Sequence, residues 1–137
     1  PNDLAGYQAV TEVYCSDRPC LCMLDTGAAC NTMPEDLLVG MMCRAAKLGI
    51  SHESPEYPVA KLEKWKKDEH VDGIAGGKPI TLCGSAVVRM ELVDKRGNHG
   101  PIVLVRCKIF KANTTTWMGF IIGMRALDAV QNGGLGV

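Results

Sequence analysis

Apolar and polar positions alternate with a period close to two along much of this chain, which is the pattern of half-buried strands. It predicts strands at residues 8–15, 19–24, 81–93, 102–110 and 116–122, separated by Gly, Asn and Pro clusters such as Asp94-Lys95-Arg96-Gly97-Asn98-His99-Gly100-Pro101. Helical spacing appears twice. Leu37, Leu38, Met41, Met42, Ala45 and Leu48 follow Pro34, with Glu35 and Asp36 in the opening turn and Gly49 as a stop. A second, shorter helix is predicted from Met124 to about Gln131, ending at Asn132-Gly133-Gly134. Residues 51–59, with Pro55 and Pro58, read as a loop. No internal repeat and no linker divides the sequence, so 1–137 is expected to form a single, mainly β domain with two short helices.

Composition changes this picture little. Hydrophobic residues make up 47% and charged residues 22%, as in an ordinary globular protein. Fifteen basic residues balance fifteen acidic ones, so nothing points to a nucleic acid or a membrane surface as partner. The run Lys61-Leu62-Glu63-Lys64-Trp65-Lys66-Lys67-Asp68-Glu69 is better read as a solvated, charge-balanced face than as a basic patch. No apolar run reaches the roughly twenty residues of a membrane span. Pro1-Asn2-Asp3 does not open a secretory leader, and a processed or trimmed product is the expectation.

Seven cysteines, at 15, 20, 22, 30, 43, 83 and 107, leave an odd one in any pairing scheme, so reduced and mostly buried thiols are expected. Cys15, Cys20 and Cys22 with His52, His70 or His99 form a weak zinc signal, since no paired C-x-x-C or H-x-x-x-H accompanies them. Cys20 and Cys22 alternating with Leu21 and Met23 on a strand is the plainer reading. No metal or other cofactor is expected.

Three short segments carry chemistry. In Leu21-Cys22-Met23-Leu24-Asp25-Thr26-Gly27-Ala28-Ala29, an apolar strand delivers a carboxylate to its end and Thr-Gly turns the chain. Asp72-Gly73-Ile74-Ala75-Gly76-Gly77 lies between two stretches able to form a hairpin, 64–71 and 78–89, and its glycines permit a mobile tip with one apolar side chain. Gly119-Phe120-Ile121-Ile122-Gly123-Met124-Arg125-Ala126-Leu127 reads as a buried strand running straight into a helix. Each alone has a bland explanation: a strand-to-turn junction, a surface hairpin, ordinary strand-to-helix grammar.

Taken together and in this order, the segments resemble the retropepsin family of aspartic proteases, through Leu24-Asp25-Thr26-Gly27-Ala28, the glycine-rich 73–77 segment and Ile121-Ile122-Gly123. Asn31 and Ile122-Gly123-Met124-x-x-Leu127 are most similar to proteases of long-terminal-repeat retrotransposons. Pro1 is similar to the start of family members released by cleavage before proline, although a chain boundary explains it equally well. Two features depart from the retroviral pattern. Ala29 stands where those enzymes carry an aspartate, and Met124 where they carry its arginine partner, with Arg125 one place later. The loss of both together strands no buried charge. The flap also lies farther beyond Asp25 than in compact retroviral members, and residues 34–70 hold an insertion of unassigned role.

The resemblance implies a closed β-barrel subunit active as a homodimer, with Asp25 of each copy meeting on a twofold axis. Two carboxylates about 3 Å apart share one proton, as in aspartic proteases generally. One takes a proton from water while the other polarises the scissile carbonyl. Thr26 would bond across the axis, and Gly27 would offer its carbonyl to the substrate. Ile74, at the flap tip, would offer its N–H. Ala28, lacking a hydroxyl to stabilise a carboxylate, implies a less acidic optimum. An extended peptide or protein substrate would lie between flap and floor, in contact with Ala28, Ala29, Gly73, Ile74, Ala75, Gly76 and Ile121, with Ile80 beside them. The resemblance further implies polyprotein processing or self-processing as the use, and the cytoplasm or a virus-like particle as the location. Residues 2–5 and 135–137 are expected to add an intersubunit sheet, although the glycine-rich tail is a poor strand former. Three other readings remain: an inactive retropepsin fold kept for dimerisation or peptide binding, a cysteine-rich metal or redox protein, and a Cys/His hydrolase.

Overall fold

A computed structural model describes residues 8–16, 18–25, 28, 30–71, 79–94, 96–111 and 119–123. These form seven strands and one helix: β1 (Gln8–Cys15), β2 (Arg18–Asp25), β3 (Thr32–Pro34), α1 (Glu35–Lys47), β4 (Val59–Val71), β5 (Ile80–Val93), β6 (His99–Phe110) and β7 (Phe120–Gly123). The strands make one sheet in the order β1-β2-β7-β3-β6-β5-β4, and a further bridge, Tyr14 to Glu91, joins β1 to β5. The fold is mainly β, as expected. The predicted second helix, 124–131, lies outside the described residues, as do both chain ends expected to form the intersubunit sheet.

Burial explains the strands one by one. In β5 every even position from Ile80 to Met90 faces inward, the period-two signature of a sheet with one covered face. β7 is buried at all four positions, Phe120 to Gly123, and pairs in parallel with β2. A continuous apolar run is what a parallel strand covered on both faces requires. β2 shows the transition: Leu21 points outward and is 47% exposed, whereas Cys22, Met23 and Asp25 are all buried. The main core gathers Met33, Leu38, Met41, Val88, Cys107, Phe120 and Ile122, and a smaller cluster joins Ile80, Leu82 and Phe110 with Trp65 packed against it. A β-bulge between Leu82 and Gly84 separates the two clusters along β5.

One strand, β3, and the start of another, β4, were not legible in the alternation pattern, although 64–71 was expected as a hairpin arm. β3 is only three residues long, too short to show a period, and is held by β6 and β7 rather than by its own propensity. β4 begins at Val59, so the charged run at 61–69 is a strand and not merely a solvated surface. Among the described residues it is an edge strand, paired with β5, and its charged side chains suit an edge that must not recruit another chain.

The helix follows its sequence signals. Pro34 sits at the N-cap with extended backbone, Glu35 and Asp36 occupy the first turn, and Arg44 and Lys47 the last. Leu38, Met41 and Ala45 form its buried stripe. Gly49 adopts φ +75°, and its N–H donates to the Ala46 carbonyl while that of Ile50 donates to Ala45, the two bonds that close a helix on a left-handed residue. Among the described residues, no helix is long and apolar enough to cross a membrane.

Candidate active site

Asp25 stands at the last position of β2 and is 7% exposed. Its strand neighbours are Gln8 on β1 and Gly123 on β7. The chain then leaves β2, passes over the end of β7 and re-enters the sheet as β3 on the far side. β7 is thus clasped between the two strands that the 26–31 segment connects. Within that segment the Ala28 N–H donates to the Asp25 carbonyl oxygen at 3.3 Å, which starts the turn directly behind the carboxylate.

Gly123 is required by this crossing. A Cβ built on it would lie 2.5 Å from the Ala28 carbonyl oxygen and 2.9 Å from that of Cys30, both of them backbone atoms with little freedom to retreat. The absent side chain lets the Ala28 and Cys30 backbone rest on the end of β7.

Asn31 ties the crossing together. Its Oδ1 accepts from the Gly123 N–H at 3.0 Å, its Nδ2 donates to the Arg106 carbonyl at 3.1 Å, and its own carbonyl accepts from the Lys108 N–H at 2.9 Å. One side chain thereby joins β7 to β6 immediately beside Asp25. Sequence reading had only placed Asn31 among the motif residues; its bridging role needed the sheet order. Next to it, Thr32 is 2% exposed, and its hydroxyl has no hydrogen-bond partner among the described residues.

Of the other residues singled out from sequence, Thr26, Gly27, Ala29, Gly73, Ile74, Ala75 and Gly76 lie outside the described residues, as do Met124 and Arg125. The hairpin expected to carry the 73–77 segment is present: β4 and β5 are antiparallel, with Val71 opposite Ile80. Ile121 is 1% exposed and lies between Met23 of β2 and Thr32 of β3, and Ile80 is equally buried. Two cavities are described, one beside α1 and one near Ile102. Neither is lined by Asp25.

The cysteines behave mainly as core residues. Cys15, Cys20, Cys22 and Cys107 are buried, and all seven are free thiols. Burial pushes the Cys22 thiol up to about 11 and that of Cys107 up to about 12, which keeps both protonated and unreactive at neutral pH. Among the described residues no three His, Cys, Asp or Glu side chains converge as metal ligands. His70 pairs with Thr81 at 3.1 Å and His99 with Glu91 at 2.9 Å, while His52 is exposed on the 51–58 loop.

The site therefore offers one buried carboxylate on a strand end held between its two neighbouring strands, β1 and β7.

No family model and no curated protein matches the sequence. Among solved structures, the chain is similar to the EIAV protease complexed with the inhibitor HBY-793, at 16% identity and TM-score 0.48, over 96% of this chain and 95% of that one. It is also similar to a retropepsin-like aspartic protease from Rickettsia conorii, at 14% identity and TM-score 0.40, over 87% of this chain and 69% of that one. Likenesses this distant carry no argument about activity, which must rest on the residues themselves.

Proposed function

We propose that the chain is one half of a retropepsin-like aspartic endopeptidase, completed by a second copy. The observation that carries this reading is Asp25: a carboxylate in an Asp-Thr-Gly sequence, buried at the end of β2 against Gly123, in a crossing that Asn31 braces. In the family that the motif resembles, two such carboxylates meet on a twofold axis and share one proton.

In this mechanism the ionised Asp25 removes a proton from a water held between the two carboxylates. The protonated Asp25 of the other copy donates a hydrogen bond to the scissile carbonyl. Attack of the water oxygen gives a tetrahedral diol, and proton transfer to the amide nitrogen releases the two peptide fragments. Gly27 and Ile74 would bind the substrate backbone through a carbonyl and an N–H, and the peptide would lie extended beneath the β4–β5 hairpin with apolar residues near the scissile bond. Ala28, Ala29, Gly73, Ala75, Gly76 and Ile121 would shape the subsites. Processing of a polyprotein, including the chain's own precursor, suits an enzyme that stays inactive until two copies meet.

The test is cleavage of an apolar peptide library by the purified chain, with and without pepstatin. Asp25→Asn keeps the shape of the carboxylate but cannot act as the base, so turnover should fall on the order of 10³-fold or more while circular dichroism is unchanged. Specific activity should also fall on dilution in step with dimer dissociation followed by sedimentation. Appreciable turnover by Asp25→Asn, or constant specific activity in a sedimenting monomer, would remove this reading.

A further inference from the structure

At the end of β2 opposite Asp25, the β1–β2 hairpin and α1 enclose a cavity of about 200 Å³. The helix gives it one stripe, Leu37, Gly40, Met41, Arg44 and Ala45, and the facing strands give Cys15 and Cys20, so its walls are mainly apolar. A second cavity, of about 320 Å³, adjoins it, and Ser16, Arg44 and Leu48 line both. Arg89, Glu56 and Glu91 make the second one more polar. The two form one groove, with Arg44 at the junction.

The arginines of this groove are not equivalent. Arg89 donates from Nη1 to the Tyr57 carbonyl at 2.7 Å, and Arg18 is exposed to water. Arg44 is half-buried, its Nε is fully buried without a hydrogen-bond partner, and no carboxylate pairs with its guanidinium among the described residues. Its place in the last turn of α1 suits a cation but gives Nε no acceptor. A buried donor left without an acceptor is costly, and the fork of Nε and Nη donors matches the two oxygens of a carboxylate. Gly40 is a second, independent sign. Glycine weakens a helix relative to alanine, and packing does not call for it here, since a Cβ on Gly40 would meet nothing within 4 Å. The bare position keeps the groove open beside Met41 and Arg44.

We propose that this groove binds a medium-chain monocarboxylate, with the carboxylate on Arg44 and the hydrocarbon chain laid over Leu37, Met41 and Ala45. Charge sets the direction of the ligand. Asp36 stands at the far end of the helix stripe, and Glu56 and Glu91 line the larger cavity, so an anion is repelled from both ends and settles at the junction. Between Asp36 and Arg44 the helix advances about 12 Å, at about 1.5 Å per residue, which matches an extended octanoate chain. A cavity this small takes a single chain rather than a fused ring system. The site lies at the other end of β2 from Asp25, and neither depends on the other.

The experiment is titration calorimetry with octanoate, octanol and acetate. Octanoate should bind saturably, one per chain, and at least about tenfold more tightly than octanol, which has the tail without the charge. Acetate has the charge without the tail and should bind at least about tenfold more weakly than octanoate. Arg44→Met keeps an apolar stem and removes the fork, so it should weaken octanoate at least about tenfold and leave octanol unchanged. Gly40→Leu improves helix propensity and puts a side chain into the groove, so a folded variant should bind both octanoate and octanol more weakly. Octanoate no tighter than octanol, acetate as tight as octanoate, or unchanged octanoate affinity in either variant would each overturn the proposal. The first two outcomes are read on the unmodified chain and depend neither on how the variants fold nor on any protease activity.

Discussion

The two ends of β2 are built from different materials. At the Asp25 end, the strand lies between β1 and β7, the crossing segment rests on a bare Gly123, and an amide side chain bonds β7 to β6. The contacts of Gly123, Ala28 and Asn31 there involve backbone groups, and backbone cannot repack. At the Arg18–Cys20 end, the neighbours are thiols, an arginine and the Leu37–Met41 face of α1, around an open cavity. Side chains of that kind can turn and make room. A carboxylate that acts in catalysis must be held within a fraction of an ångström, and the Asp25 end supplies that rigidity where the cavity end does not.

Substitutions should expose this difference, and the largest effect belongs to Gly123. Gly123→Val drives a branched side chain into the Ala28 and Cys30 carbonyls, and the loss should be about 3 kcal/mol or more, with activity abolished. Urea denaturation measures it; a loss under about 1 kcal/mol would mean that the crossing segment is free to lift. Asn31→Ala comes next. It leaves the Gly123 N–H and the Arg106 carbonyl without their partner, at about 1–3 kcal/mol, and kcat should fall further than stability alone explains. Asn31→Asp keeps the acceptor for Gly123 and loses only the donor to Arg106, so it should recover part of the loss. Equal stability for these two variants would contradict the clamp.

A smaller effect appears only at high pH. The Cys22 and Cys107 thiols keep their protons in the folded chain up to about 11 and about 12, against an ordinary value of 9.0. Unfolded thiols ionise first, so the folded state binds more protons above pH 9.0 and stability must fall as pH rises through this window. Below it, the contribution is complete and flat. Replacing both cysteines by alanine should flatten the alkaline limb of a stability–pH curve, and an unchanged limb would place its cause elsewhere. The least effect is expected at Lys111, whose 2.8 Å contact with Asp68 joins two solvent-facing side chains. Lys111→Ala should leave the urea midpoint within error at moderate salt.

Much of this fold was readable from patterning. The 8–15 strand appears with those same bounds, the 19–24 strand gains one residue at each end, and the helix runs from Glu35 to Lys47 as its caps required. The strand expected at 116–122 is seen at Phe120–Gly123, with 112–118 outside the described residues. What escaped was whatever lacked a period. β3 has three residues, and the start of β4 is a charged edge whose pairing partner, β5, supplies its reason to be a strand. At the site, the carboxylate was legible through Asp25-Thr26-Gly27, whereas the Asn31 clamp was not, because it joins positions far apart in the chain.

The amino-acid sequence alone thus determined most of the strands, the helix at Glu35–Lys47 and the carboxylate that a hydrolase would use, because periodicity, capping and short motifs are local properties written in neighbouring residues. Only the tertiary structure decided that β7 lies between β2 and β3, that Gly123 must be bare, and that Cys15 and Cys20 share a cavity with Arg18. Those facts depend on which distant strands pair, and pairing is settled by the burial of the whole apolar set at once.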